Sequence, residues 1–77
     1  MITVKLYSYL RKDHGRTTTV SYRKGMTIGD LVEELGISRK KALTVFCDHK
    51  YPPGTPLMDV AVQDNSTYHI LPPAAGG

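Results

Sequence analysis

Seventy-seven residues, 40% of them hydrophobic, make one small domain; a chain this short buries only about 60–65% of its unfolded surface, too little to enclose a deep active site as well as a core. The lone Cys47 excludes an internal disulfide framework, and no apolar run approaches the roughly 18 residues of a membrane span, so a cytoplasmic protein with no membrane partner is expected. The net charge of +3 comes from ten Lys and Arg, all within residues 1–50 and clustered beside turns without interleaved aromatics; that pattern points away from nucleic acid and towards solvated turns able to steer an acidic protein partner.

Met1-Ile2-Thr3-Val4-Lys5 opens without a charged leader and apolar h-region. Residues 2–10 alternate, with Ile2, Val4 and Leu6 on one face and Thr3, Lys5 and Tyr7 on the other, which predicts a half-buried strand. Arg11 to Arg16 reads as a polar hairpin loop containing Gly15. Thr17 to Arg23 is rich in β-branched residues and predicts the second strand, with Thr18, Val20 and Tyr22 on a common face.

A helix is expected next. Thr27 is a suitable N-cap, and Asp30 stands where a capping box would carry Glu or Gln. Ile28, Leu31, Val32 and Leu35 form one apolar stripe, Glu33 and Glu34 face outward, and Gly36 is placed to end the helix. Gly29 reads as a weak spot in the first turn. Ala42 to Asp48 predicts a strand with Leu43, Val45 and Cys47 on one face and Thr44 and Phe46 on the other. Tyr51 to Pro56 is a loop stiffened by three prolines. Leu57 to Val60 reads as a short edge strand, Gln63 to Ser66 as a turn, and Thr67 to Leu71 as the final strand, which Pro72 and Pro73 terminate.

The order β-β-α-β-(β)-β, with one amphipathic helix to cover one sheet face, predicts an α+β protein of β-grasp type. Its mixed sheet would have four or five strands, the first and last paired in parallel at the centre. The expected division is a domain over residues 1–71 and an extended tail over residues 72–77, Pro72-Pro73-Ala74-Ala75-Gly76-Gly77. Gly76 and Gly77 carry no Cβ and can enter a cleft closed to other residues. Read without its context, such a stretch is equally a frayed terminus.

With this order and tail together, the chain resembles the MoaD/ThiS group of ubiquitin-like sulfur carriers, and within it the small subunit of molybdopterin synthase. The resemblance is carried by Val4 to Gly15, by Thr27 to Gly36, and most specifically by Ile70-Leu71-Pro72-Pro73-Ala74-Ala75-Gly76-Gly77. Departures fall in two loops: Asp48 to Pro53 replaces an Asn-Gly-type turn, and Asp64-Asn65-Ser66 replaces a Gly-Asp turn. The resemblance implies that an E1-like enzyme adenylates the Gly77 carboxylate with ATP and that a sulfur donor protein converts it to a thiocarboxylate. The acceptor would be a larger synthase subunit or another sulfur-accepting enzyme. The carrier would bind no cofactor or metal of its own, so it is an enzyme only as part of a synthase. A thiamine-type carrier, a ubiquitin-like modifier and a plain β-grasp binding module are the competing readings.

For docking, Leu71 is expected at an interface, because Tyr68 and Ile70 occupy the other parity of the last strand. Phe46 divides equally between that interface and the core of a small domain. His69 flanks the tail or simply faces solvent. Cys47 between apolar neighbours reads as core rather than as a second sulfur site, and a Cys-x-His pair alone makes no zinc site. His14, His49 and His69 show no spacing to a carboxylate that would mark general acid–base chemistry.

Overall fold

The computed structural model describes residues 1–73. Four strands, β1 (Ile2–Leu6), β2 (Thr17–Val20), β3 (Thr44–Cys47) and β4 (Thr67–Leu71), form one sheet in the order β2-β1-β4-β3. β1 and β4 pair in parallel at the centre, while β2 and β3 flank them antiparallel. Two helices accompany the sheet: a single turn α1 (Arg11–His14) inside the first connection, and α2 (Ile28–Glu34). This is the β-grasp arrangement, with four strands rather than five.

The alternation of β1 and the stripe of α2 meet in one core. Ile2, Val4, Leu6, Ile28, Leu31, Val32, Tyr68 and Ile70 are all but inaccessible, and burial on this scale is the main stabilising term for a domain this small. Helix α2 begins with a complete capping box: Asp30 N–H donates to Thr27 Oγ1, and Thr27 N–H donates to Asp30 Oδ2. Asp30 therefore does the work of the usual Glu or Gln. The helix ends in a Schellman motif, with Ile37 N–H donating to Val32 O, Gly36 N–H donating to Glu33 O, and Gly36 at φ +78°.

Gly29 is more than a weak spot. A Cβ there would lie 2.6 Å from Arg39 Nη1 and 2.9 Å from the Met58 carbonyl oxygen. The missing side chain lets Arg39 lie across the helix and pair with both Asp30 and Glu33. Hydrogen bonding to Glu33 raises the Arg39 pKa, and hydrogen bonding with Thr27, its backbone N–H foremost, and then the Arg39 charge lower that of Asp30.

Three expectations fail. The second strand, expected to run to Arg23, ends at Val20. β1 stops at Leu6, not at residue 10, because Ser8 takes a left-handed φ of +57° and opens a 3₁₀ turn over Ser8–Leu10. The polar connection Arg11–Arg16 then opens with α1, which Gly15 closes at φ +75°. Leu57 to Val60 is not an edge strand either. After Pro56, Leu57–Asp59 form a 3₁₀ turn that half-buries Leu57 and Met58 against the core and seats Val60 within it. The extended pairing there is a single bridge between Thr27 and Ala61, and Val60 O accepts from the otherwise unpaired Ile28 N–H at the start of α2.

Candidate functional site

Because α2 covers one face of the sheet, the opposite face is left open. The period-2 alternation places Thr3 and Lys5 of β1, Thr44 and Phe46 of β3, and Thr67, His69 and Leu71 of β4 on it. Phe46 is 57% exposed there, which removes core packing as its account. It stands directly opposite His69, and Leu71 is the next same-face residue along β4, diagonal to Phe46. Leu71, Pro72 and Pro73 are half-buried. The expected docking residues Phe46, His69 and Leu71 are therefore neighbours on one uncovered surface.

The residue that follows β1 completes this surface. Tyr7 shares the parity of Lys5, and its hydroxyl forms a 2.8 Å hydrogen bond with His69 Nδ1. The Arg11 guanidinium lies 5.6 Å from the Tyr7 ring centroid, and Arg11 Nε donates to Leu6 O at 3.0 Å. His69 is thus a bridging side chain between the two central strands rather than a free solvent-facing one. Tyr7 and Arg11 did not emerge from the sequence as site residues. The alternation of β1 placed Tyr7 on the outer face, but its partner on β4 is fixed only by the parallel register, in which Lys5 stands beside His69.

The far side of the sheet is structural. Tyr68 is fully buried, and its hydroxyl bonds to His49 Nε2 at 2.6 Å and accepts from Gln63 N–H at 2.9 Å. Burial pushes the Tyr68 pKa up, so the phenol stays neutral. Cys47 packs against the core and donates through Sγ to His49 O at 3.4 Å, a satisfied position in keeping with a core cysteine. Among the described residues, no group of His, Cys, Asp or Glu is arranged to hold a metal ion. None of their helices is long and apolar enough to cross a membrane. Ala74, Ala75, Gly76 and Gly77, which include the expected reactive position, lie outside the described residues.

Fold and open face together define a ubiquitin-like β-grasp domain. The crystal structure of SAMP1 from Haloferax volcanii shares this fold, with a TM-score of 0.69 over 99% of this chain and 98% of that one. Sequence identity is 18%, so the likeness is one of architecture. No protein-family model and no curated protein matches the sequence.

Proposed function

We propose that the protein is a sulfur carrier of the MoaD/ThiS type, activated at the Gly77 carboxylate and docked through its open sheet face. The observation that supports this reading most is the uncovered Phe46–His69–Leu71 surface at the foot of the Pro72–Pro73 exit. A large exposed aromatic beside a half-buried leucine costs a small domain apolar burial it would otherwise use. Such a pair is suited to anchor a partner. A tail of six residues extended from that anchor reaches on the order of 18 Å, enough to thread into a partner's active site.

In this reading the Gly77 carboxylate attacks the α-phosphate of ATP in the E1-like partner, and pyrophosphate leaves. A hydrosulfide equivalent from the donor protein then adds to the acyl adenylate, AMP leaves, and a thiocarboxylate remains. The carrier contributes reach, a tip without side chains and a docking face; acid, base and metal belong to the partner. Delivery of the thiocarboxylate sulfur inside a closed synthase site protects it from water. The length of the first connection, Tyr7 to Arg16, favours molybdopterin synthesis as the destination over thiamine synthesis.

The same activated tail also serves a ubiquitin-like modifier, in which a lysine amine of a target protein attacks the adenylate-derived acyl group. Incubation with an E1-like enzyme, ATP and either a sulfur donor or a cell extract separates the two. A carrier yields a Gly77-dependent thiocarboxylate; a modifier yields high-mass adducts that depend on Gly77 and survive reductant. Loading that persists after Gly77 is deleted would defeat both.

A further inference from the structure

The open face continues past Tyr7 into a shallow cleft of about 200 Å³ where β1 ends and β2 begins, lined by Lys5, Leu6, Tyr7, Arg11, Arg16 and Thr17. Three of these six are cations and none is a carboxylate. Elsewhere on the domain the arginines are neutralised: Arg23 pairs with Glu34, and Arg39 pairs with Asp30 and Glu33. Among the described residues, Lys5, Arg11 and Arg16 have no such partner. The nearest acid in sequence, Asp13, lines a different depression with Leu35 to Ser38.

The cleft is also organised. Arg11 spends Nε on Leu6 O and lies against the Tyr7 ring, so its guanidinium is held in place with both terminal nitrogens available. Arg16 is fixed at the backbone, where its carbonyl accepts from Leu6 N–H at 2.9 Å, and Lys5 and Thr17 are cross-strand neighbours. An arginine with a preset orientation forms bidentate contacts to a carboxylate at low entropic cost. The cleft lies one strand from His69, and the Tyr7–His69 bond joins it to the docking face.

We infer that this cleft receives carboxylate side chains of the protein partner that seats on Phe46 and Leu71, so that the partner carries an acidic cluster beside its apolar pocket. The inference rests on the carrier reading for the identity of the partner, but carboxylate binding by the cleft is measurable without it. Carboxylates are favoured over nucleic-acid phosphates because the cations occupy one compact depression beside an apolar anchor, whereas a nucleic-acid backbone needs charges spread along a track.

The test titrates ¹⁵N-labelled full-length protein with capped tetraglutamate, with inorganic phosphate and with a short oligouridylate. Tetraglutamate is expected to shift the Lys5, Tyr7, Arg11, Arg16 and Thr17 amides first, and Lys5→Glu with Arg16→Glu is expected to abolish those shifts. Both substituted side chains are exposed, and circular dichroism of the variant checks that the fold is retained. Stronger shifts with phosphate or oligouridylate than with tetraglutamate would overturn the inference. In parallel, the double variant is expected to lower the kcat/KM for sulfur loading by about tenfold at low salt, with a flattened salt dependence. Unchanged loading and unchanged salt dependence would overturn the cleft while leaving the carrier intact. Tetraglutamate binding without any loading of the wild type would keep the carboxylate site and remove the carrier.

Discussion

At the scale of single residues, Gly29 and Phe46 separate what holds the domain together from what it presents. Alanine at an exposed helix position normally gains about 1 kcal/mol over glycine. At position 29 the new methyl would push on Arg39 and on the Met58 backbone carbonyl. Gly29→Ala is therefore expected to destabilise the fold by about 1–2 kcal/mol, the cost of overpacking. A rise in the thermal midpoint would show that the close approach of Arg39 and Met58 is not a constraint. Phe46→Ala should behave in the opposite sense. Its side chain is mostly in solvent, so stability should change by no more than about 0.5 kcal/mol. The kcat/KM for loading by the activating enzyme should fall by about tenfold or more if Phe46 is an anchor. Equal loading of variant and wild type would take Phe46 out of the interface.

At the scale of elements, helix α2 stands on its capping box, and two measurements probe it. Thr27→Ala removes the side-chain acceptor for Asp30 N–H and should cost about 1 kcal/mol in urea denaturation. Asp30 has a folded-state pKa lowered by the Thr27 N–H and the Arg39 charge. Its stabilisation is thus fully present above the unfolded value of about 3.9 and is lost as pH falls through the lower folded value. The urea midpoint should decline below about pH 4, and Asp30→Asn should show a shallower decline; identical acid profiles would contradict the assignment. The helix was legible in the sequence because Thr27, the Ile28–Leu31–Val32–Leu35 stripe and Gly36 all encode the same local element. The strands were legible where alternation continued, as in Ile2–Leu6 and Thr67–Leu71. It fails after Leu6, where Ser8 takes core parity with a polar side chain, and that break carried the signal for the turn that was missed. Leu57 to Val60 misled for another reason. The run is too short to show a period, and its shape is decided by distant packing on α2 and by the need of Ile28 N–H for an acceptor. The open face was half legible: strand parity placed Leu71 outward and left Phe46 undecided. Its contact with Tyr7 and Arg11 depends on the β1–β4 register, which no local pattern encodes.

At the scale of the whole molecule, the β-grasp fold divides labour between its two sheet faces. One face and α2 enclose the buried core, and the other displays Phe46, Leu71 and the Tyr7–His69 bridge beside the cationic cleft. The parallel β1–β4 pair brings the end of β1 and the exit of the chain towards Pro72 to the same end of the sheet, so in the proposed reading a partner that grips this end is positioned to take the tail. The account stands on chemistry at the end of that tail. Its most direct test is the intact mass of the protein after incubation with an E1-like enzyme, ATP and a sulfur donor, with fragments localised by tandem mass spectrometry. The account predicts a gain equal to the replacement of one oxygen by sulfur, confined to Gly77. An unchanged mass, with the enzyme shown competent on a known carrier, would contradict it.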